Sequence, residues 1–270
     1  MNSPVRTLSI AGVDPSGGAG VLADVKAMSA LGAYACAVIA ALTAQNTRAV
    51  TGILAVAPEF VAEQIDTLFD DVAIDAVKIG MLGDVPVIET VADRLAYWAP
   101  RHVVLDPVMV AKSGDALLQA NAVAALRDRL LPLATVITPN LPEAAVLLGE
   151  APVQDAEAMP GVAERLWRLK GGAGWVYLKG GHLAAGDAID LVFDGVQMIE
   201  LRAPRVATRN THGTGCTLSA ALAALLPQSP DVPSAARRAK DYLAAAIAHA
   251  DELQVGEGHG PVHHFHALWR

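Results

Sequence analysis

The feature that most constrains this chain is an alternation of short apolar runs with segments of helical periodicity. Val5 to Gly12 reads as a buried strand, and Ala19 to Ala33 follows it with Val21, Val25, Met28 and Leu31 on one helical face. Tyr34 to Leu42 and Gly52 to Val56 are further strands. Pro58 then opens a helix at its first turn, where a missing N–H costs little, with Phe60, Val61, Ile65, Leu68 and Phe69 as its apolar positions. Strands are expected at Ala76 to Ile79, His102 to Leu105, Thr135 to Thr138 and Trp175 to Lys179, with helices at 85–98, 115–131 and 141–149. Such an order implies an α/β fold with a mostly parallel sheet and helices on both faces. After Gly186 the pattern changes. Ile189 to Phe193 and Val196 to Leu201 flank Asp194-Gly195, a strong hairpin signal, so an antiparallel hairpin is expected at one side of the sheet. Helices at 214–226 and 232–253 close a chain expected to form one domain over 1–270.

Composition removes several function classes. Apolar residues make up 53% of the 270, which raises the question of a membrane protein. The surplus is Ala and Val in helices and short strands, and no stretch of eighteen residues is free of charge and Pro while also rich in Leu, Ile, Val and Phe. The net charge of −8 and the lack of a Lys/Arg-rich stripe speak against a nucleic-acid partner. The start of the chain lacks the charged and apolar regions of a signal peptide. Cys36 and Cys216, far apart in sequence, therefore read as free thiols in a cytoplasmic protein.

In a parallel sheet, ligands bind at the carboxyl ends of strands, so the loops that follow strands are where chemistry is expected. The first is Gly12-Val13-Asp14-Pro15-Ser16-Gly17-Gly18-Ala19-Gly20, whose small residues allow close approach of a ligand; Asp24, one turn into the helix, could accept a hydrogen bond. Its spacing is not that of a dinucleotide fingerprint, and the chain has no Gly-Lys-Ser or Gly-Lys-Thr of a P-loop. The second is Thr211-His212-Gly213-Thr214-Gly215-Cys216, which runs into an Ala/Leu-rich helix. Successive N–H groups there make an anion site, and the helix end is expected to lower the Cys216 thiol pKa. Cys36, centred in an apolar strand, reads as a packing residue.

Two acids sit after consecutive strands. Asp106 precedes Pro107, and Glu143 follows Pro139-Asn140-Leu141-Pro142. Either fits a Mg²⁺ carried by a nucleotide, which needs one or two carboxylates, while Glu143 equally fits a helix first-turn acid. Lys179, before Gly180-Gly181-His182, is a candidate phosphate partner; Lys240, in the last helix, is a weaker one. The tail Gly258 to His266 holds four histidines at spacings that match no closed zinc site.

Together these segments resemble the hydroxymethylpyrimidine/phosphomethylpyrimidine kinases of thiamine biosynthesis, a branch of the ribokinase-like superfamily. The stretches that carry the resemblance are Ala11 to Gly20, Ala44-Gln45-Asn46-Thr47, Lys78-Ile79-Gly80-Met81-Leu82, Leu105 to Met109 with Ala111-Lys112-Ser113-Gly114, Thr138 to Glu143, Lys179 to His182, Gly213 to Cys216 and the tail. They run in order from about residue 8 to 268. The resemblance implies a three-layer α/β/α fold and two successive phosphorylations of 4-amino-5-hydroxymethyl-2-methylpyrimidine, to the monophosphate and then the diphosphate, with ATP and Mg²⁺. Carried over by position, Gln45 would bond the aminopyrimidine, and Asp24, Gly12, Ala19, Met81 and Val108 would line its pocket. Gly213, Thr214, Gly215 and Cys216 would form the catalytic anion hole, with Cys216 as base where sugar kinases of the superfamily carry an Asp. Asn140, Lys179, Thr211 and Lys240 would meet the nucleotide, and Glu143 and Asp106 the Mg²⁺. A homodimer is also implied.

A pyridoxal or pyridoxine kinase is the nearest alternative, as a sole or additional activity, because its substrate is also a flat ring with a hydroxymethyl group. Gln45 and Met81 favour the aminopyrimidine, since an amide both donates and accepts. A sugar kinase would need a more polar pocket. A non-catalytic nucleotide-binding module is the remote alternative, and a fused thiamine-phosphate synthase domain is not expected within this length.

Overall fold

The computed structural model describes residues 3–109, 120–183 and 186–269. Nine strands form one sheet: β1 (Arg6–Val13), β2 (Tyr34–Gln45), β3 (Val50–Ala55), β4 (Ala76–Ile79), β5 (Val103–Leu105), β6 (Val136–Ile137), β7 (Trp175–Lys179), β8 (Ala188–Phe193) and β9 (Met198–Ala203). Their spatial order is β3-β2-β1-β4-β5-β6-β7-β8-β9. Strands β2 to β7 in this order pair parallel, and β8 and β9 extend the sheet antiparallel, as the Asp194-Gly195 signal predicts. Strand β9 begins at Met198 rather than Val196, because Asp194 Oδ1 accepts from the amides of Val196 and Gln197 and ties them into the turn.

The opposite edge is antiparallel as well. Strand β3 pairs antiparallel with β2, a pairing additional to the hairpin expected at one side. Only residues 46–49 join the two strands, too few for a crossover. Asn46 closes the turn, its Oδ1 accepting from the amides of Arg48 and Ala49.

The helices are α1 (Gly20–Ala30), α2 (Pro58–Asp71), α3 (Val85–Trp98), α4 (Ala120–Ala125), α5 (Leu141–Leu148), α6 (Met159–Leu169), α7 (Thr214–Leu225) and α8 (Val232–Ala248). Of the helix expected at 115–131, residues 115–119 lie outside the described residues. The rest is α4, followed by a π-turn over Leu126–Leu130 and a 3₁₀ turn over Leu131–Leu133. Helix α6 had not been anticipated. Met159, Val162, Ala163 and Leu166 nevertheless follow the one-face spacing of an amphipathic helix and are buried. The helix expected to reach residue 253 ends at Ala248 and continues as a 3₁₀ turn over Ala250–Glu252.

The layers follow from strand alternation. Leu8, Ile10, Val77, Ile79, Val103 and Leu105 pack on one face with α2, α3 and α6, whereas Val104, Val136 and Tyr177 pack on the other with α1, α7 and α8. The strand order reverses at β1, whose two parallel neighbours are β2 and β4. A crevice opens outside the carboxyl ends of the strands at such a reversal, and the glycine-rich loop after β1 enters it.

Candidate active site

A cavity of about 450 Å³ lies at this edge of the sheet, lined from almost every strand end. Strand β1 contributes Gly12 and, with its loop, Asp14 and Ala19. Strand β2 contributes Thr43 and Gln45, the loop after β4 Met81, the loop after β5 Asp106, Val108 and Met109, the start of α5 Asn140 and Glu143, and β7 Lys179. The segment Thr211 to Cys216 closes it. Of the sixteen sequence-predicted site residues, only Asp24 and Lys240 are not among its lining.

The anion-binding turn is built from backbone. Gly213 caps α7 with φ +75°, and a Cβ there would collide with the Gly18 carbonyl, so only glycine fits. Thr217 N–H donates to Gly213 O at 2.8 Å and starts the helix. The Thr214 amide donates to Thr211 O at 3.5 Å, while the following amides of the first turn have no partner within the helix and carry the positive end of its dipole. Gly12 meets the cavity for a related reason: a Cβ there would lie 2.9 Å from the Met81 Cε, and the Gly12 amide donates to Met81 O at 2.9 Å, which locks the two loops together.

Cys216 sits where two helix starts meet. Its sulfur accepts from the amide of Gly20, the first residue of α1, while it occupies the first turn of α7. Both helix ends and the Lys78 ammonium favour a thiolate. Burial outweighs them and pushes the thiol up to about 11, with the Asp24 and Asp106 carboxylates adding to the rise. The expected lowering of this pKa is therefore corrected: in the folded protein the thiol is protonated at neutral pH.

Asp106 is buried, and its Oδ1 accepts from Lys179 Nζ at 2.8 Å and from Thr138 Oγ1 at 3.1 Å. Burial opposes its charge, but Lys179 and Lys78 hold its carboxyl below the usual range. Burial likewise opposes the Lys179 charge, yet Asp106 and then Glu143 keep it firmly cationic. Glu143 Oε2 lies 3.8 Å from Lys179 Nζ. Glu143 and Asn140 also form a capping box at the start of α5. The Asn140 amide donates to Glu143 Oε2 at 2.8 Å, and the Glu143 amide donates to Asn140 Oδ1 at 2.8 Å. Burial raises the Glu143 pKa to about 7, with Lys179 opposing and Asp106 adding to the rise. Two carboxylates flanking one lysine suit a metal ion that arrives on phosphate oxygens. Among the described residues no group of three His, Cys, Asp or Glu side chains could hold a metal by itself, the histidine tail included.

Two predicted residues belong elsewhere. Asp24 was expected to line the pocket, but it is fully buried behind the cavity wall. Its carboxylate accepts from Lys78 Nζ at 2.8 and 2.9 Å and from Ser9 Oγ at 2.6 Å. The apolar face of α1 turns Asp24 inward, so it meets the sheet rather than a ligand. Lys240 was expected to meet the nucleotide; instead it donates to Asp190 at 2.6 Å, where Tyr177 OH and the Gly180 amide also converge.

Sequence reasoning missed Lys78 and the His212–Asp14 pair. Lys78 alternates with Val77 and Ile79, which sends its side chain into the layer of α1 and α7, where it is fully buried. A lysine inside an otherwise apolar four-residue strand was the available signal. His212 Nε2 lies 2.8 Å from Asp14 Oδ2, and Asp14 also accepts from the amides of Ser16 and Ala19. The pair ties the loop after β1 to the anion-binding turn. It links residues 198 positions apart, so no local pattern could reveal it. The motif stretch 111–114 lies outside the described residues.

The model of the family described as phosphomethylpyrimidine kinase matches residues 14–263. Over 265 residues the chain is 52% identical to the hydroxymethylpyrimidine/phosphomethylpyrimidine kinase of Escherichia coli (strain K12), covering 98% of this chain and 99% of that one. It is 50% identical over 257 residues to the thiamine biosynthesis bifunctional protein ThiED of Geobacter sulfurreducens, covering 95% of this chain and 51% of the longer relative. Among solved structures, an ADP complex of Bacillus subtilis pyridoxal kinase superposes with a TM-score of 0.90 at 33% identity, covering 99% of this chain and 100% of that one. A family match over residues 14–263, which takes in all of the cavity lining but Gly12 and Val13, together with 52% identity to a relative covered to 99%, makes this chain a member of the phosphomethylpyrimidine kinase family.

Proposed function

We propose that this chain phosphorylates 4-amino-5-hydroxymethyl-2-methylpyrimidine, first on its hydroxymethyl oxygen and then on the resulting phosphate, with MgATP as donor, in thiamine biosynthesis. The observation that carries the reading is one cavity whose lining combines two unlike sets of residues. Gln45, Met81 and Val108 form an amide-and-apolar set, and Gly213–Cys216, Lys179, Asp106 and Glu143 an anion-binding set. A flat aminopyrimidine suits the first set, because the Gln45 amide both donates and accepts while Met81 and Val108 cover apolar ring faces. Phosphate oxygens suit the second, where helix amides and a lysine neutralise charge.

The chemistry follows from positioning. The transferring phosphoryl group passes through a loose transition state, so alignment and charge neutralisation carry most of the rate. The amides of Thr214 to Cys216 face the developing charge, Lys179 neutralises phosphate oxygens, and Asn140 and Thr211 border the nucleotide. Mg²⁺ enters with ATP as part of the substrate, and Asp106 and Glu143 are the carboxylates that would hold it. Cys216 is the base that the resemblance implies: its thiol must first give up its own proton, and the thiolate so formed takes the hydroxymethyl proton as phosphoryl transfer proceeds. The second transfer uses a phosphate nucleophile and needs no base.

The similarity to a pyridoxal kinase supports a second reading, an additional activity on pyridoxine. Purified protein offered MgATP with the pyrimidine alcohol, its monophosphate or pyridoxine, and read by ADP release, separates the two. Turnover of both pyrimidines is expected, and turnover of neither overturns the reading. We further propose a cytoplasmic homodimer. The two free thiols support the location, and exposed Leu42, Ile53 and Leu54 on the β2–β3 edge support a contact surface. Sedimentation showing a monomer at micromolar concentration would remove the dimer. Among the described residues no helix is long and apolar enough to cross a membrane.

A further inference from the structure

Among the described residues, the histidine tail is a sequence motif that the site leaves unused, and its contacts are directed. At one end the amides of Gly258 and His259 donate to Thr47, at Oγ1 (3.1 Å) and at the carbonyl (2.9 Å), on the β2–β3 turn two residues after Gln45. In the middle the His212 amide donates to Gly260 O at 3.0 Å, His212 bridges Pro261 in parallel, and the Gly260 amide donates to Asn210 Oδ1. At the other end His264 Nε2 lies 3.0 Å from Thr217 Oγ1, directly after Cys216 in the first turn of α7. Tyr242 OH donates to the His264 carbonyl at 2.7 Å, and the His263 amide donates to Ala246 O, which fastens this end to α8.

The contacts to Thr47, Asn210, His212 and Thr217 land on or beside walls of the cavity, and those to Tyr242 and Ala246 anchor the tail on α8. Burying an imidazole against a buried threonine is a poor way to gain stability, since apolar groups of similar shape would serve as well. Burial pushes the His264 ring down to about 3, helped by Lys26 and neighbouring histidines, so the ring stays neutral and its bond to Thr217 persists across the working pH range.

We propose that residues 258–264 form a positioning strap between the substrate hairpin and the anion-binding turn, with His264 acting through Thr217 as the positioning residue for Cys216. This rests on the kinase reading of the cavity.

The test compares wild type, His264→Ala, Thr217→Val, the double variant and Thr47→Val. Steady-state kinetics are read beside iodoacetamide alkylation of Cys216, with Cys36 as the internal control. His264→Ala and Thr217→Val are each expected to lower kcat roughly tenfold, with KM for MgATP within about twofold of wild type. Alkylation of Cys216 changes several-fold while that of Cys36 does not, and the double variant is no worse than either single one. Thr47→Val raises KM for the pyrimidine, and an unchanged KM detaches the hairpin from the strap. Normal kcat and normal Cys216 alkylation in Thr217→Val overturn the proposal, as does a parallel change at Cys36, which marks general loosening. If His264→Ala does not fold, the isosteric Thr217→Val decides. A wild type that turns over neither pyrimidine defeats the kinase reading instead, and the alkylation contrast still tests the strap.

Discussion

The sulfur of Cys216 accepts the Gly20 amide and feels the Lys78 ammonium, yet burial holds its thiol near 11. As a thiol it cannot accept a proton, so it must ionise before it serves as the base. Cys216→Ala should lower kcat on the pyrimidine alcohol about 10²- to 10⁴-fold and spare phosphorylation of the monophosphate, with nucleotide binding retained. Parallel assays of the two steps check this; equal losses in both would assign Cys216 to the anion hole rather than to proton transfer. Glu143 offers a second test. Its pKa of about 7 lies above the ordinary 4.5, so the folded state favours its protonated form. Stability from this group is full below the unfolded pKa and is lost as pH rises toward 7. Ionised Glu143 is the form that suits Mg²⁺, so KM for MgATP should fall between about pH 6 and pH 8. Glu143→Gln keeps the capping box and should flatten that profile.

At the scale of elements, the turn before α7 concentrates the backbone demand. Gly213→Ala meets both a left-handed φ and the Gly18 carbonyl, and should cost roughly 1–3 kcal/mol and most of the turnover, read by thermal melting and kinetics together. The capping box of α5 was legible in sequence as Asn140-x-x-Glu143. What the sequence left open was whether Glu143 caps a helix or meets a ligand, and the structure has it capping while its carboxylate lies beside Lys179 in the cavity lining. Helix α6 carried its signal in plain apolar spacing, whereas the antiparallel pairing of β3 was encoded in the shortness of its turn rather than in the strand itself.

For the whole molecule, the Lys78–Asp24 pair joins β4 to α1 inside the layer that supports the anion-binding turn, both side chains fully buried. Lys78→Met should destabilise the fold by about 3–5 kcal/mol, because it strands a buried carboxylate, and Lys78→Met with Asp24→Leu should recover much of that loss in denaturant melts. Recovered stability without recovered activity would separate the pair's electrostatic service to Cys216 from its packing. The sequence by itself determined the layered α/β order and the strand ends where chemistry collects, because periodicity, glycine and capping patterns are local physics, and the family resemblance of its ordered motifs supplied most residues of the cavity wall. Only the tertiary structure decided which polar residues turn inward and how their charges settle. Asp24, Lys240, Lys78 and Asp14 found partners from 50 to 198 residues away. A side chain's charge state depends on such partners and on burial, and neither is written in its immediate neighbours.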